Sequence, residues 1–385
     1  MPHPHKGAHA PIAHDYDQKP LLLFWEMTRA CPLACKHCRA QAQHTPMPGE
    51  LNVAESIKFL DDVKGFGTPS PILVMTGGDP LARPDLFDRL AQANGQGTRV
   101  ALAPAVSPAL GGKNLERLRD NGVRAISISL DGSTAATHEG IRQVPDHFAR
   151  TIETLRELVA AGFMVQVNTT VMRRNAEELG ELAVLLKQLG VDVWEVFYLV
   201  HVGRGRSVDE LTAEECEDVA HFLFDAAQYG FIVRTVEAPF FRRVVAWRAA
   251  EPDADPVARF GRGPLYTRLS GAMRAQLGAP TERPKATSAG TRDGNGILFV
   301  AHDGAIAPAG FLPLELGNVK KESVVEVYRN HPVLKDIRAS RFHGRCGRCE
   351  FSQICGGSRS RAFASTDGDP LASDPACPYD PPAKA

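Results

Sequence analysis

The stretch LLLFWEMTRACPLACKHC, residues 21–38, joins an apolar run to three closely spaced cysteines. The run at 21–28 predicts a buried β-strand, and Cys31, Cys35 and Cys38 lie in the loop that follows it. A disulfide needs two thiols, and a structural zinc site needs four ligands. Three thiols therefore leave a fourth ligand position open, and the function of this loop depends on what fills that position.

The rest of the chain repeats the same alternation of apolar run and amphipathic helix. Six runs are predicted as strands: LLLFWEMT (21–28), PILVMTGG (71–78), TRVALAP (98–104), RAISISLDG (124–132), FMVQVNTTVM (163–172) and DVWEVFYLV (192–200). Nearly continuous apolar strands that alternate with helices indicate a parallel sheet covered by helices. Right-handed crossovers would curl six such units into an open barrel. The predicted fold is therefore α/β, an open (β/α)6 partial TIM barrel followed by a small α+β domain.

The chain divides into four predicted regions. Residues 1–19 are expected to form a flexible tail, because Pro and Gly interrupt them and nothing apolar anchors them. Residues 20–236 form the barrel, and residues 237–292, rich in Arg, Pro, Gly and Ala, form a connector or lid. Residues 293–385 form the small domain, which opens with a hairpin that turns at Asp303-Gly304.

Composition and charge exclude several classes of function. The 385 residues carry a formal net charge of −1, which gives no electrostatic basis for binding nucleic acid or a membrane surface. No apolar run approaches the ~20 residues of a membrane span, and no secretory signal is recognisable. We therefore expect a cytoplasmic protein without nucleic-acid or membrane partners. In a reducing compartment, clustered cysteines indicate metal or redox chemistry rather than disulfides.

The spacing Cys-x-x-x-Cys-x-x-Cys after a first barrel strand resembles that of the radical S-adenosylmethionine (SAM) superfamily. In that family three cysteines, here Cys31, Cys35 and Cys38, bind a [4Fe-4S] cluster, and SAM chelates the iron that has no protein ligand. One electron then cleaves SAM to methionine and a 5′-deoxyadenosyl radical, which abstracts hydrogen. The alternative is a zinc knuckle completed by His37 or His44, although knuckles rarely open a six-unit βα repeat.

Further residues match the resemblance at the carboxyl ends of the strands. TGGDP (76–80) resembles the family's Gly-Gly-Glu-Pro element, and glycine would let backbone oxygens approach the SAM ammonium, although a tight turn would also use it. Ser129 and Asp131 match ribose- or carboxylate-binding positions, or else they cap a helix. Arg142 could pair with the SAM carboxylate or pin a loop. The resemblance implies SAM contacts at His37, Gly77, Gly78, Asp79, Ser107, Ser129, Asp131, Arg142, Asn168 and Leu199.

A second group of thiols lies near the other end of the sequence, at Cys346, Cys349, Cys355 and Cys377. Four thiols make a closed metal site. Their spacing resembles the SPASM/Twitch extension of radical SAM enzymes, so we expect one auxiliary [4Fe-4S] cluster that relays electrons or holds the fold together. Ala309 and Ser358 stand where relatives commonly carry further cysteines, so the other auxiliary position is expected to be vestigial. A structural zinc is the alternative, since four thiolates suit either metal.

The sequence around both cysteine groups resembles the heme-biosynthesis branch of the superfamily, in particular the decarboxylase that acts on the propionates of iron-coproporphyrin. An anionic tetrapyrrole needs cations at the barrel mouth, and bidentate arginines suit carboxylates. His201 and His302 could ligate a heme iron. The candidate cations, in loops after strands five and six, are Arg173, Arg174, Arg204 and Arg206. Each of these side chains could equally be a solvated loop charge or a capping group.

Two other functions stay open. The first is maturation of a ribosomal peptide or a quinone-like cofactor, although only about twenty residues precede the first strand, and many such enzymes carry a peptide-binding domain there. The second, from a different class, is a non-catalytic iron–sulfur electron carrier or a zinc-stabilised scaffold. A radical SAM enzyme would also need an electron donor such as ferredoxin or flavodoxin.

Overall fold

The computed structural model describes residues 14–280, 282–286 and 290–382. Most of the predicted tail, residues 1–13, lies outside the described residues. The end of the tail that is described is attached to the domain, because the Tyr328 hydroxyl donates to the Tyr16 carbonyl oxygen at 2.7 Å. The tail therefore meets the body of the protein before the first strand begins.

The described residues form one ten-stranded sheet with the order β10-β9-β8-β1-β2-β3-β4-β5-β6-β7. Its strands are β1 (Leu22–Glu26), β2 (Ile72–Thr76), β3 (Val100–Leu102), β4 (Ala125–Ser129), β5 (Met164–Val171), β6 (Val193–Tyr198), β7 (Ile232–Val236), β8 (Ile297–Val300), β9 (Ala305–Ala307) and β10 (Gly317–Asn318). Strands β1 to β7 pair in parallel with their neighbours, and β8 pairs in parallel with β1 on its other side. Only β9 and β10 join the sheet in antiparallel fashion.

Helices connect the parallel strands and cover the sheet. They are α1 (Val53–Val63), α2 (Leu86–Gly95), α3 (Lys113–Asp120), α4 (Ala135–Arg142), α5 (His147–Ala160), α6 (Leu179–Leu189), α7 (Ala213–Ala226), α8 (Phe241–Ala250), α9 (Pro256–Phe260), α10 (Pro264–Leu277), α11 (Val324–Asn330), α12 (Pro332–Arg338), α13 (Gly344–Arg348) and α14 (Arg359–Ala364). In the described ranges no helix combines the length and the apolar character of a membrane span.

The parallel α/β prediction is confirmed, and all six predicted strands are present. The sequence analysis missed two more parallel strands. Strand β7 has the sequence IVRTV, in which Arg234 and Thr235 interrupt the apolar pattern. Strand β8 pairs with β1 although the residues in register, Leu22 and Ile297, are 275 positions apart in the sequence. The predicted connector contains α8, α9 and α10, of which α10 packs against α6 and α7.

Alternating burial along the strands gives the sheet two different faces. In β5, buried residues such as Val165 and Val167 alternate with the half-buried Gln166, Asn168 and Thr170. Because side chains alternate across a strand, one set packs under the helices and the other faces the inside of the curved sheet. The loops that leave the carboxyl ends of β1 to β7 meet at one mouth, where a barrel of this kind places its chemistry.

Candidate active site

The three-cysteine loop leaves the carboxyl end of β1 and is held in place by backbone hydrogen bonds. The Cys31 N–H donates to the Gln43 carbonyl oxygen at 2.7 Å. The Lys36 N–H donates to the Ile141 carbonyl oxygen at 3.0 Å, which ties the loop to α4. Cys31 and Cys35 are buried in one apolar cluster, and the half-buried Cys38 packs against it. The structure thus brings the three predicted thiols together.

Arg204 also holds this loop. Its Nε donates to the Cys35 carbonyl oxygen at 2.8 Å, and its Nη1 donates to the Ala42 carbonyl oxygen at 3.0 Å. The Arg204 backbone N–H donates to the Cys38 carbonyl oxygen at 3.0 Å. Two of the three guanidinium nitrogens of Arg204 are thus engaged by the backbone of the cysteine loop, and its binding of substrate carboxylates stays a prediction.

Gly77 and Gly78 let the loop after β2 approach the cysteine loop closely. A Cβ at Gly77, where φ is +144°, would lie 2.3 Å from the Thr28 carbonyl oxygen, and one at Gly78 would lie 2.3 Å from the Ala30 carbonyl oxygen. The Gly78 N–H donates to the Thr28 oxygen at 2.7 Å. The glycines are needed for contact between two backbones, and their contact with SAM stays a prediction.

Asp79 and Ser107, each predicted as a SAM contact, bind each other. The Ser107 hydroxyl donates to Asp79 Oδ2 at 3.0 Å, and the Leu81 N–H donates to Asp79 Oδ1 at 3.1 Å. Both side chains are buried, and burial raises the pKa of Asp79. Asp79 thus joins the loops after β2 and β3 and begins a short helical turn at Pro80.

Asp131 is the centre of a buried ionic network beside the loop. Its Oδ2 accepts from Arg142 Nη2 at 2.5 Å and lies 2.9 Å from His37 Nε2, while its Oδ1 accepts from the Thr170 N–H at 2.8 Å. Burial would raise the pKa of Asp131, but Arg142 and His37 outweigh it and hold that pKa well below its usual range. The side chain is 0% exposed and engaged within the protein, and the contact of Asp131 with SAM stays a prediction.

Arg142 uses its other nitrogen on the cysteine loop. Its Nη1 donates to Cys35 Sγ at 3.5 Å, and the side chain is buried. These contacts agree with the second interpretation of Arg142, in which its side chain holds a loop in place. His37 Nε2 is engaged with Asp131.

Ser129, Asn168 and Leu199 lie at the carboxyl ends of neighbouring strands. Ser129 and Asn168 are in register on β4 and β5 and are half-buried on the inside of the sheet. Asn168 Oδ1 accepts from Gln166 Nε2 at 2.8 Å. Leu199 is buried against Ile141. Ser129 and Asn168 therefore remain predicted contacts for a small molecule in the mouth, and Leu199 would act through its backbone.

The four C-terminal cysteines line one pocket. Burial raises the pKa of Cys355 to about 12 and that of Cys377 to about 11. Arg243 Nη2 donates to Cys377 Sγ at 3.6 Å, and Arg359 Nη2 donates to Cys346 Sγ at 3.8 Å. One buried and three half-buried thiols, with guanidinium groups beside them, are suited to a bound metal group that keeps them as thiolates.

The donor set of each cysteine group consists of thiols, which suit either an iron–sulfur cluster or zinc. Among the described residues no group of three or more His, Cys, Asp or Glu side chains is placed to hold a single ion. The thiols present therefore fit an iron–sulfur cluster, and the zinc alternative stays open.

Comparison with known proteins decides the family. Residues 25–186 match the radical SAM superfamily. The chain is 34% identical over 94% of its length to an AdoMet-dependent heme synthase from Methanosarcina barkeri, covering 97% of that protein, and 33% identical over 98% of its length to one from Nitratidesulfovibrio vulgaris, again covering 97%. The chain belongs to the radical SAM superfamily. It is also 27% identical over 93% of its length to mycofactocin maturase MftC from Mycobacterium ulcerans, covering 88% of that protein.

Two solved structures with bound S-adenosylmethionine share this fold. SuiB from Streptococcus suis, solved with S-adenosylmethionine, aligns with a TM-score of 0.65 at 15% identity, covering 94% of this chain and 78% of SuiB. anSMEcpe with bound AdoMet aligns with a TM-score of 0.64 at 17% identity, covering 92% of this chain and 93% of that protein. These likenesses show the fold. The superfamily match and the heme synthase relatives make the chain a radical SAM enzyme, and its family implies a [4Fe-4S] cluster and SAM.

The two histidines predicted to bind heme iron are engaged in this radical SAM enzyme. His201 has Glu210 Oε1 at 2.8 Å from Nδ1 and the Ala364 carbonyl oxygen at 2.8 Å from Nε2. His302 Nδ1 lies 3.0 Å from the buried Glu26. His201 has no free ring nitrogen, so its prediction as a heme ligand is wrong, and His302 takes part in an internal ion pair.

The sequence analysis missed the network around Glu26, which also includes Arg39. Arg39, which follows Cys38, donates to Glu26 Oε2 at 2.9 Å, and its guanidinium carbon lies 4.5 Å from the centre of the Phe299 ring on β8. Burial alone would raise the pKa of Glu26, but Arg39 and His302 lower it to about 2. An acid at the end of the apolar run LLLFWE was the only signal in the sequence. The network ties the cysteine loop to β8.

Proposed function

We propose that this radical SAM enzyme acts on a tetrapyrrole and oxidatively decarboxylates propionate side chains. The observation that carries the proposal is 33–34% identity over at least 94% of this chain and 97% of two relatives named AdoMet-dependent heme synthase. A further relative, 30% identical over 93% of the chain, is named pre-heme d1 synthase. Shared length on both sides means that both cysteine groups fall within the compared region.

Cys31, Cys35 and Cys38 are the proposed ligands of the [4Fe-4S] cluster to which SAM binds. When bound, the cluster and SAM together supply a 5′-deoxyadenosyl radical that abstracts hydrogen. The chain's own contribution is to position the loop: Arg142 donates to Cys35 Sγ, and Arg204 donates to the Cys35 carbonyl oxygen. Ser129 and Asn168 face the same mouth and are the proposed polar contacts for SAM.

Cys346, Cys349, Cys355 and Cys377 are the proposed ligands of one auxiliary [4Fe-4S] cluster in a domain of the SPASM/Twitch type. Conversion of a propionate to a vinyl group breaks a C–C bond and removes carbon dioxide, a hydrogen atom and one electron. The hydrogen atom goes to the 5′-deoxyadenosyl radical, so the electron needs a separate acceptor. A cluster with four protein ligands would supply electron transfer, because it has no position for SAM.

Substrate carboxylates need cations that are not already engaged. Arg173, Arg174 and Arg206 are exposed in the loops after β5 and β6. Arg173 makes an exposed ion pair with Glu215 at 3.3 Å, which water and salt weaken. These three arginines, without Arg204, are the proposed propionate-binding residues. The proposed electron donor is a small redox protein such as ferredoxin or flavodoxin.

The test uses anaerobically reconstituted enzyme with SAM, a reductant and iron-coproporphyrin. We expect 5′-deoxyadenosine to form together with a porphyrin that has lost carbon dioxide and two hydrogen atoms for each converted propionate, as seen by mass spectrometry. Release of 5′-deoxyadenosine with unchanged porphyrin would overturn the substrate assignment while leaving the radical SAM assignment intact.

A peptide is the second candidate substrate. It is favoured by the 27% identity to a relative named mycofactocin maturase MftC. The same reconstituted enzyme, offered genomically neighbouring short peptides in place of porphyrin, distinguishes the two candidates. A mass change in a peptide and none in the porphyrin would make the peptide the favoured substrate.

A further inference from the structure

Two buried carboxyl groups face one serine at the barrel mouth, and neither belongs to a cysteine group. Glu237 directly follows β7 and is 5% exposed, and Asp293 is 7% exposed. The Ser360 hydroxyl oxygen lies 3.0 Å from Glu237 Oε1 and 2.8 Å from Asp293 Oδ2. The Ser358 hydroxyl donates to the other oxygen of Glu237.

If both acids are ionised, the single hydroxyl hydrogen of Ser360 is too few for the two carboxylate oxygens that face it. A hydroxyl has one hydrogen, so Ser360 can donate to only one of the two carboxyl groups. Its oxygen would then face an ionised oxygen of the other group without a hydrogen between them, and burial makes such an arrangement costly. The Ser358 hydrogen is already directed to Glu237 Oε2. One proton on the pair of acids removes the conflict.

The surrounding charges place this proton on Glu237. Burial, and then the charge of Asp293, raise the pKa of Glu237 well above its ordinary value, while Arg361 lowers it. Arg242 and Arg292 interact electrostatically with Asp293. The charged groups that face the pair are Arg242, Arg292, Arg361 and, through its ion pair with Arg361, Asp374.

The pair holds α14 against the ends of β6 and β7. Ser358 caps α14, and Ser360 lies in its first turn. Arg361 Nη1 donates to the Glu237 carbonyl oxygen at 2.8 Å, and its Nη2 donates to the Leu199 carbonyl oxygen at 3.3 Å. At the other end of α14, the Ala364 carbonyl oxygen meets His201. The helix therefore lies across part of the mouth that substrate and SAM must enter.

We infer that Glu237 and Asp293 share one proton through Ser360 and that this proton positions α14 across the barrel mouth. Glu237 is thus a positioning residue rather than a catalytic one. Its φ of +59°, which is uncommon for a residue other than glycine, directs the carboxyl group inward to the two serines. The inference goes beyond the proposed function, because it concerns the placement of α14 whatever the substrate is.

The test is hydrogen exchange of the α14 amides in the full, reconstituted protein across pH. Because the pKa of Glu237 is raised in the folded state, protection is complete below the ordinary pKa of about 4.5 and decreases as pH rises through the raised value. Glu237→Gln carries an amide N–H where the shared proton lies, so it keeps α14 protected at every pH. Glu237→Ala leaves the serines unpaired, so exchange of α14 becomes about 5- to 150-fold faster.

Rescue by glutamine separates this role from a purely structural one. Protection factors corrected for the intrinsic pH dependence of exchange are compared for wild type, Glu237→Gln and Glu237→Ala, with the amides of α6 as an internal standard for global stability. Equal loss of α14 protection in both variants, or an identical pH dependence in wild type and Glu237→Gln, would overturn the inference. If Glu237→Ala unfolds globally, the comparison of wild type with Glu237→Gln still decides the test.

Discussion

The two cysteine groups differ in how the protein matches their negative charge. Beside the three-thiol loop, Arg142 donates to Cys35 Sγ, but its charge is already matched by Asp131. Beside the four-thiol pocket, the fully buried Arg359 donates to Cys346 Sγ, and its other donors go to backbone carbonyl oxygens, among them that of Ala372 at 2.6 Å. The half-buried Arg204 at the loop also has no carboxylate partner among the described residues, but it donates to backbone carbonyl oxygens. The difference is that a fully buried guanidinium without a carboxylate partner donates to a thiol at the pocket, whereas the guanidinium that donates to a thiol at the loop is paired with Asp131.

This difference is what we expect if SAM binds at the loop and not at the pocket, as proposed. A cluster with three thiolates that also binds SAM receives a positive charge from the sulfonium, so the protein does not need to supply one. A cluster with four thiolates gains no cationic ligand, and a low-dielectric interior makes its charge costly without nearby guanidinium groups. The positions of the arginines therefore support an open loop and a closed pocket.

The largest expected effect comes from removing a loop thiol. Cys31→Ala, Cys35→Ala or Cys38→Ala should abolish SAM cleavage, a loss of more than about 100-fold, since even outer-shell partners of a metal site cost ~10–100-fold. The iron of the pocket should be retained. The measurement is 5′-deoxyadenosine release together with iron and sulfide content.

The matched control is Cys216→Ala, which removes a buried thiol on α7 outside both groups. It should keep SAM cleavage and the iron content of wild type. Formation of 5′-deoxyadenosine by the loop variants at the level of this control would contradict the assignment of the loop.

Removing a pocket thiol should act on stability first. Cys355→Ala should destabilise the segment around α13 and α14, because metal binding there is coupled to folding. We expect this variant to lose the pocket iron, to unfold at a lower temperature and still to show the loop cluster. Unchanged thermal unfolding and unchanged iron content would show that the pocket holds no metal.

A smaller effect is expected at the ion pair beside the pocket. Arg243 binds Glu217 through two hydrogen bonds of 2.7 Å, and both side chains are buried. Arg243→Met leaves an unpaired buried charge and should lower the free energy of unfolding by roughly 3–5 kcal/mol. The double variant Arg243→Met/Glu217→Gln should recover most of that loss in denaturant titrations. Equal destabilisation of both variants would contradict this explanation.

The same pair sets a direction for the pH dependence. Burial would raise the pKa of Glu217, but His221 and Arg243 lower it to about 2. Its contribution to stability is therefore complete above the ordinary pKa of about 4.5 and is lost as pH falls toward 2. Glu217→Gln should flatten the acid side of the stability curve, and an unchanged curve would contradict the role of the pair.

The smallest effect is expected from Arg142→Lys beside the loop. Lysine keeps the charge but cannot bridge Asp131 and Cys35 with two nitrogens, so SAM cleavage should fall ~10–100-fold without loss of iron. Arg150→Lys, at an exposed position, is the control and should leave the rate unchanged. Wild-type rates in Arg142→Lys would show that Arg142 does not position the loop.

Much of the fold could be predicted because its signals are local. Apolar runs and amphipathic helices gave six strands of the parallel sheet at the observed places. Strand β7 was missed because Arg234 lies within a five-residue strand, and β8 was missed as a barrel strand because its partner β1 is far away in the sequence. Pairing between segments that are far apart in the sequence produces no periodic pattern of apolar residues in either segment.

The site divides in the same way. Cysteine spacing is local, so all seven grouped thiols were found and the structure brings them together in two places. The partners of polar residues depend on tertiary contacts, so Asp131 and Arg204 were given to ligands although the protein uses them internally. Glu237 was missed because no pattern in its own segment indicates Asp293 or Ser360 as neighbours.

The most direct test of the open loop and closed pocket is electron paramagnetic resonance of the reduced, reconstituted protein with and without SAM. We expect signals from two [4Fe-4S] clusters, of which one changes when SAM is added, and we expect that one to be absent in Cys35→Ala. A spectrum that does not respond to SAM, or a response that persists in Cys35→Ala, would contradict the assignment of an open position at Cys31, Cys35 and Cys38.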